Sequence, residues 1–124
     1  MPLYTVITQE HSLSGETKLE MADEITRIHS AVMKVPRSFV RVVFLTYPMG
    51  SGYTAGVEAP TASLNCVLRS GHGIAEKHYM LQQLWSMFQN LTGIATDQLA
   101  ISLQEIPSSN AMEMGQIMPA VGPE

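Results

Sequence analysis

Pro2 is the residue of this chain with the most unusual chemistry open to it. If the initiator Met1 is removed, Pro2 becomes a chain-terminal secondary amine, a base and nucleophile that no internal residue supplies. Free α-amino groups titrate near ~8, and burial beside a cation lowers that pKa because it disfavours the charged form. A terminal proline in a pocket is therefore suited to general base catalysis near neutral pH. The structural alternative is a proline that starts an edge strand, where its missing N–H costs nothing.

Three further side chains have the chemistry of substrate binding or acid–base catalysis. Arg69 ends an apolar run before a glycine-bracketed turn, and its planar guanidinium suits a carboxylate. His29 lies on the apolar stripe of a helical pattern. Glu113 lies among methionines, and apolar surroundings raise the pKa of a carboxyl group. A solvated strand-end arginine, a core or interface histidine and a surface acid are the alternatives, and the residues alone leave both interpretations open.

Two similar runs of secondary structure have to position these residues. Each run is a strand, an amphipathic helix and a second strand. The predicted elements are a strand over 3–8, a helix from the N-cap Ser14 to about Lys34, a strand over 39–47, a strand over 62–69, a helix from Ile74 to the C′ residue Gly93, and a strand over 99–106. Two consecutive β-α-β units of this kind build one four-stranded sheet with two helices on the same face, an α/β (α+β) fold.

The sequence predicts a single domain over residues 1–124, with one β-α-β half over about 1–60 and the other over about 61–124. Residues 48–60 hold three glycines and two prolines, which predicts a long loop. The tail after Pro107 indicates a short helix around 110–115.

The strand over 39–47 is apolar almost throughout, so both of its faces should be buried. One face of the sheet has no helix to cover it in this arrangement. We therefore expect other copies of the chain to cover that face in a homo-oligomer, because monomers rarely expose a large apolar patch.

Composition excludes several classes of partner. Seven basic and eleven acidic residues give a net charge of −4 with no Lys/Arg cluster, which argues against nucleic acids and anionic membranes. No run approaches the ~20 apolar residues of a membrane span. The single cysteine, Cys66, forbids an internal disulfide and fits a reducing, cytoplasmic location. The four histidines lack metal-ligand spacing, so neither a metal nor another cofactor is expected.

Several of these features together resemble the tautomerase superfamily, and most closely its cis-3-chloroacrylic acid dehalogenase branch, which is related to 4-oxalocrotonate tautomerase. The features are the terminal Pro2, the doubled strand-helix-strand pattern, Arg69 followed by Ser70-Gly71-His72, and the segment Gln104-Glu105-Ile106-Pro107. The resemblance covers essentially the whole chain. It implies a trimer whose small carboxylate substrate is held by Arg69 while Pro2 acts as the catalytic amine.

The resemblance also implies roles for two other residues, His29 in binding the carboxylate and Glu113 in positioning or activating water. Two positions depart from the dehalogenases: His72 stands where a second arginine is expected, and Ser102 where a tyrosine is expected. His72 can still assist substrate binding when it is protonated, since its unperturbed pKa is near ~6.5.

These departures favour tautomerisation over dehalogenation, because proton transfer needs only one base and one anchor. The resulting hypothesis is a cofactor-independent tautomerase of enol or 2-oxo acids, with weak cis-3-haloacrylate dehalogenase or hydratase activity through Glu113. The alternative is a non-catalytic oligomeric binding protein that keeps the fold with a degraded site. Both depend on Met1, because a retained Met1 makes the Pro2 nitrogen an amide without basicity.

Overall fold

A four-stranded mixed sheet with two helices packed on one face forms the centre of the protein, as seen in a computed structural model that describes residues 1–120. In chain order the elements are β1 (Leu3–Gln9), α1 (Gly15–Met33), β2 (Arg41–Tyr47), β3 (Tyr53–Thr54), β4 (Val57–Glu58), β5 (Ala62–Arg69), α2 (Ile74–Thr92), β6 (Leu99–Ile106), β7 (Met112–Glu113) and β8 (Gln116–Ile117). The predicted fold class is confirmed, and β5 and β6 have the predicted bounds.

Strand directions determine which residues meet at each end of the sheet. The order is β2-β1-β5-β6, with β1 parallel to β2, antiparallel to β5, and β5 parallel to β6. The first residues of β1 and β2 therefore lie at the same end as the last residues of β5 and β6. We call this the Pro2 end of the sheet. The opposite end, where β5 and β6 begin, we call the distal end.

Both helices end in the left-handed conformation, at opposite ends of the sheet. The Ser14 hydroxyl caps α1 by accepting a hydrogen bond from the Thr17 N–H at 3.0 Å, as its sequence position predicts. The α1 helix ends at Lys34 (φ 56°), at the Pro2 end. The α2 helix ends at Gly93 (φ 68°), whose N–H donates to the Gln89 carbonyl at the distal end.

The core lies between the helices and the inner face of the sheet. Alternate residues of β1 and β5 point inward, which is the two-residue period of a strand with one covered face. The fully buried members that contact one another include Tyr4, Val6, Met21, Ile25, Leu64, Cys66, Met80, Leu84 and Phe88.

The outer face of the sheet is exposed within one chain. Val43 and Leu45 of β2 are 44% and 50% exposed, whereas their neighbours Val42 and Phe44 pack against the core. The prediction that both faces of this strand are buried is thus not met inside a single chain. In one row across this face the side chains are Val43 on β2, Thr5 on β1, Asn65 on β5 and Ser102 on β6.

Two short hairpins correct the predictions for the connecting segments. The predicted long loop over 48–60 contains the β3–β4 hairpin, and the predicted tail helix around 110–115 is instead the β7–β8 hairpin. Each hairpin turns through two residues with positive φ, Ala55-Gly56 and Met114-Gly115. These are the backbone angles of a type I′ turn, in which Asn-Gly or Asp-Gly is the usual sequence signal. Because alanine and methionine stand at the first turn position, neither hairpin was predicted from the sequence.

Among the helices of the described residues, none is long and apolar enough to cross a membrane.

Candidate active site

The start of β1 carries the chain terminus into the Pro2 end of the sheet. Pro2 is fully buried, and its carbonyl accepts a hydrogen bond from the Arg41 N–H at 3.1 Å. Because β1 pairs with strands on both sides, Pro2 does not start an edge strand. The terminal amine in this structure is that of Met1, three covalent bonds from the Pro2 nitrogen.

Glu113 contacts this terminal amine. Its carboxylate forms an ion pair with the Met1 ammonium, and its side chain is only 8% exposed. Glu113 is the last residue of β7, so this contact joins the β7–β8 hairpin to the chain terminus ahead of β1. Glu113, one of the predicted site residues, thus lies at the chain terminus next to Pro2, although the amine that it contacts is that of Met1.

Two opposing influences act on the basicity of the terminal amine. Burial lowers its pKa most, and the positive charges of Arg41 and Arg69 lower it further. The Glu113 carboxylate acts in the opposite sense, because an adjacent negative charge favours the ammonium form. An amine in this place is therefore less basic than an ordinary chain terminus, and Glu113 limits the difference.

Arg69 borders two cavities at the Pro2 end. One has a volume of about 550 Å³ and is also lined by Lys34, His72 and Glu76. The other, of about 220 Å³, lies between Arg69 and Glu113. Nη1 of Arg69 donates a hydrogen bond to the Pro119 carbonyl at 2.6 Å, so the C-terminal segment occupies part of the guanidinium fork.

His72 faces the larger of these cavities. It lies just before α2, and its Nδ1 is 3.1 Å from Oε1 of Glu76 in the first turn of that helix. The side chain is 8% exposed. Arg69 and His72 are thus brought to one cavity, as expected for two substrate-binding residues, but each is already in contact with a group of its own chain.

His29 lies beneath the charged groups at the Pro2 end. Its side chain is buried, and its Nδ1 is 2.7 Å from the Tyr4 hydroxyl. Burial lowers its pKa most, and His72 and the chain-terminal amine lower it further, to about 4. His29 is therefore neutral at pH 7.

Ser102 stands apart from this group within one chain. It is exposed on the outer face of β6, where its hydroxyl donates to Oδ1 of Asn65 on β5 at 2.8 Å. The position at which the dehalogenase branch is expected to carry a tyrosine thus lies on the face of the sheet that no helix covers.

Cys66 is a buried core residue, as its apolar neighbours in the sequence indicate. It is fully buried opposite Tyr4 in the β1–β5 pairing. Burial raises the pKa of its thiol to about 12, which keeps it protonated and unreactive. Residues 1–120 contain no group of three or more His, Cys, Asp or Glu side chains placed to hold a metal ion.

Two residues near the chain terminus, Arg41 and Tyr4, were not predicted from the sequence. Arg41 is the first residue of β2 and pairs with Leu3, so the parallel register brings it beside the chain terminus. A lone arginine at the start of an apolar strand was the available signal, but its significance depends on which strand pairs with β1. Tyr4 was hidden because an inward-facing tyrosine in a strand looks like any other core residue.

These residues together form an electrostatic site at one end of the sheet. A terminal amine of reduced basicity, a carboxylate and two guanidinium groups act on one another there. An amine of this kind can exchange protons near neutral pH, and a guanidinium can hold a carboxylate beside it.

Comparisons with known proteins agree on one family. A family model described as "Putative oxalocrotonate tautomerase enzyme" matches residues 1–124. The crystal structure of native Ps01740 superposes with a TM-score of 0.88 at 32% identity, covering 90% of this chain and 99% of that chain. N1, a member of the cis-3-chloroacrylic acid dehalogenase family, superposes with a TM-score of 0.91 at 27% identity, covering 97% of this chain and 85% of that chain.

A third solved structure shows the fold alone. It is a wild-type fused 4-OT described as a symmetric trimer, with a TM-score of 0.85 at 18% identity and 94% coverage of both chains. A search among curated proteins finds no match.

Proposed function

The chain belongs to the tautomerase superfamily, and we propose that it is a cofactor-independent tautomerase of small enol or 2-oxo carboxylic acids. In this proposal Pro2 is freed by removal of Met1 and acts as the general base. Arg69 holds the substrate carboxylate.

The observation that carries the proposal is the environment of the chain terminus. A buried amine lies against Glu113 and within the field of Arg41 and Arg69, all at the end of the sheet where β1 begins. Loss of Met1 would put the secondary amine of Pro2 three bonds away from the present amine, in the same surroundings. Burial and the charges of Arg41 and Arg69 lower the pKa of the Met1 amine, and this shift favours the neutral, proton-accepting form that a general base needs.

Two proton transfers make up the proposed reaction. The neutral Pro2 nitrogen takes the proton of the enol hydroxyl while the carbon–oxygen bond becomes a carbonyl and electron density moves to the β-carbon. The Pro2 ammonium then delivers a proton to that carbon. The amine is regenerated, and the substrate has been converted from enol to keto form. Arg69 and Arg41 stabilise the negative charge that develops on oxygen during the first step.

Substrate binding requires an exchange of partners at Arg69. The guanidinium now donates to the Pro119 carbonyl. A substrate carboxylate is a stronger acceptor than a neutral carbonyl, because both partners of the new hydrogen bond are charged. We propose that the carboxylate replaces Pro119 and enters the cavity that Arg69 shares with His72.

We also propose that the working form is a homotrimer. The outer face of the sheet exposes Val43, Leu45 and Ile7, and a covered face would remove this apolar surface from water. The fused 4-OT described as a symmetric trimer supports the same arrangement for a chain of this fold.

Glu113 gives a basis for a weaker second activity. In this proposal its carboxylate, which lies buried beside the terminal amine, orients the water that hydration or dehalogenation of a cis-3-haloacrylate requires. The competing proposal is a non-catalytic binding protein. His72 contacts Glu76 and Ser102 contacts Asn65, and these contacts favour the binding protein. His72 and Ser102 are the two residues at which this chain departs from the dehalogenase branch.

The first experiment measures conversion of the phenylpyruvate enol to its keto form. The protein is first shown by intact mass to lack Met1, and Pro2→Ala is the comparison. We expect turnover well above buffer in the wild type and its loss in Pro2→Ala with folding unchanged. Full activity in Pro2→Ala would remove the amine from the mechanism. A wild type no faster than buffer would support the binding protein.

The second experiment tests the limit on dehalogenation. The double variant His72→Arg, Ser102→Tyr restores the two residues that the dehalogenase branch is expected to have. We expect it to release more halide from 3-chloroacrylate than the wild type. If halide release does not increase, these two positions are not what limits the reaction.

A further inference from the structure

We infer that the cavity at the distal end of the sheet is a binding site for a small uncharged molecule. The molecule has an apolar body of about one ring and an oxygen that accepts hydrogen bonds. This site lies at the opposite end of the sheet from Pro2 and does not depend on the proposed reaction.

The cavity extends from the surface into the core. Four of its lining residues are buried: Thr8 of β1 (4% exposed), Leu13 before α1 (8%), Ala62 of β5 (4%) and Phe88 of α2 (0%). Its volume is about 290 Å³. Since a cavity of roughly 150 Å³ holds benzene, this one is large enough for a ring with a short substituent.

The lining of the cavity favours a ligand without charge. No charged side chain lines it among residues 1–120, whereas Arg69 borders both cavities at the Pro2 end. Burial of an ion without a partner costs far more free energy than burial of a neutral polar group. A carboxylate or an ammonium group would find no opposite charge here.

Two polar side chains of the lining already have partners. The Thr92 hydroxyl donates to the Phe88 carbonyl at 2.7 Å and accepts from the Ile94 N–H at 3.1 Å. Oε1 of Gln98 accepts from the Thr54 hydroxyl at 2.8 Å, which holds the amide group in place. The acceptor atom of Gln98 is thus engaged, and Nε2 is the atom of this amide left to donate.

The Thr8 hydroxyl is a buried polar group that lacks a partner. It forms no hydrogen bond within residues 1–120, yet its oxygen is not sealed inside the protein, and the cavity is the open space that Thr8 borders. An unpaired hydroxyl in such a place costs free energy that a ligand atom can restore. Because the Thr8 O–H and the Gln98 amide can both donate, the complementary ligand brings an accepting oxygen, such as that of a ketone.

A small molecule suits this cavity better than a second copy of the chain. The apolar surface that a homo-oligomer would cover is the outer face of the sheet, with Val43, Leu45 and Ile7. Thr8 belongs to the inner row of β1, and Phe88 belongs to the core beneath the helices. The cavity is therefore not a continuation of that outer surface.

The test uses protein NMR, which reports binding at each end of the sheet separately. Acetophenone is the ligand, since it combines one ring with a ketone oxygen and carries no charge. Ethylbenzene has a similar shape without the oxygen, and benzoate has the ring with a negative charge. The amide signals of Gly93 and Ala95 report the distal cavity, and those of Gly71 and Gly73 report the Pro2 end.

Thr8→Val removes the hydroxyl with little change in shape, and Thr5→Val is the matched control, because it makes the same change on the outer face of the same strand. Acetophenone should give saturable shifts of the distal signals in wild type and Thr5→Val. Its affinity should fall about three- to tenfold in Thr8→Val, the usual effect of losing one hydrogen bond. Ethylbenzene should bind Thr8→Val at least as tightly as wild type, and benzoate should leave the distal signals unchanged.

Three results would overturn the inference: no saturable distal shift in wild type up to the solubility of acetophenone, equal acetophenone affinity in wild type and Thr8→Val, or benzoate binding at the distal end as tightly as acetophenone. Distal signals that move with protein concentration alone would show a second copy in the cavity and would also overturn it.

If Thr8→Val does not fold, Ala95→Leu decides. Ala95 is exposed and lines the cavity, so the longer side chain fills the cavity without disturbing the core. Loss of acetophenone binding in Ala95→Leu supports the inference, and unchanged affinity overturns it. A wild type inactive toward the phenylpyruvate enol would contradict the proposed function alone, because none of these measurements involves turnover.

Discussion

The two ends of the sheet are built alike and carry very different residues. Each β-α-β unit offers the same structural positions: the residue before its first strand, the end of its helix and the start of its second strand. In the first unit these are Pro2, Lys34 and Arg41, all at the Pro2 end. In the second unit they are Thr61, Gly93 and Leu99, all at the distal end.

The distal end also has a cavity, but one of another character. It measures about 290 Å³ and is lined by residues such as Thr8, Phe88 and Gln98, with no charged side chain among those that the structure describes. Strands of seven residues separate the two ends by about 20 Å. Among residues 1–120, charged side chains line the two cavities at the Pro2 end, whereas none lines the distal cavity.

The largest effect that should distinguish the ends is the response of stability to acid. The folded pKa of His29 is about 4, below the ordinary value of 6.5, so the unfolded chain binds more protons between these values. The free energy of unfolding should therefore fall as the pH decreases from 6.5 to 4, by about 3 kcal/mol from this residue, and should not depend on it above 6.5.

Urea unfolding of wild type, His29→Gln and Thr8→Val across this pH range checks the prediction. His29→Gln should flatten the pH dependence. Thr8→Val alters the other buried polar residue, at the distal end, and should keep the wild-type slope. Equal slopes in all three proteins would contradict the account of His29 as a buried neutral group.

The next largest difference between the two ends of the sheet should be their effect on substrate binding. Arg69→Ala removes the guanidinium proposed to hold the carboxylate, and KM for the phenylpyruvate enol should rise on the order of 10- to 100-fold, the usual range for a hydrogen bond between charged groups. Gln98→Ala, which alters the distal cavity, should leave KM unchanged. A larger rise in KM for Gln98→Ala than for Arg69→Ala would show that the substrate binds at the distal end and would contradict this prediction.

The pH profile should move in opposite directions in two variants of the Pro2 end. After burial, the charge of Arg41 lowers the pKa of the Met1 amine most. In the proposed mechanism it acts in the same sense on the freed Pro2 amine, so Arg41→Ala should raise that pKa and shift the rise of kcat/KM to higher pH. Glu113 favours the ammonium, so Glu113→Gln should shift the rise to lower pH. Each shift should be about one pH unit or less.

Arg37→Ala is the control for charge removal, because Arg37 pairs with Asp23 at the surface and should leave the profile unchanged. Shifts of the same sign in Arg41→Ala and Glu113→Gln would show that the titrating group is not the terminal amine.

The smallest effect concerns the two helix ends. Lys34 adopts a left-handed conformation that suits glycine better, so Lys34→Gly should raise the free energy of unfolding by up to about 1 kcal/mol. Gly93→Ala should lower it by about 1 kcal/mol, and by backbone conformation alone, since an added Cβ meets no atom within 4 Å. Denaturant midpoints measure both changes, and two changes of the same sign would contradict this account.

The helices and the long strands could be predicted from the sequence, whereas the residues that strand pairing and helix packing bring together could not. The apolar pattern and the turn residues at the strand ends predicted the bounds of β5 and β6. The Ser14 cap predicted the start of α1. The two-residue strands of the hairpins are too short to show a period, and their turns lack the usual asparagine or aspartate.

The same distinction applies to the candidate site. Pro2 and Arg69 have chemistry that is visible from residue type and chain position. Arg41 belongs to the site only because β2 lies parallel to β1, and Tyr4 only because α1 packs His29 against its hydroxyl. Such residues become recognisable when strand pairing and helix packing are known.

Covalent labelling of the terminal amine tests the central claim most directly. 3-Bromopyruvate combines a carboxylate for Arg69 with a carbon that an amine can attack, so that a nitrogen–carbon bond forms, bromide leaves and the amine loses a proton. Protein lacking Met1 and protein that retains it are treated at pH 7, and the modified residue is identified by peptide mass mapping. We predict rapid modification at Pro2 in the first and none at Pro2 in the second. Modification of the protein that lacks Met1 at a residue other than Pro2, or modification of Pro2 in the protein that retains Met1, would contradict the assignment of Pro2 as the reactive base.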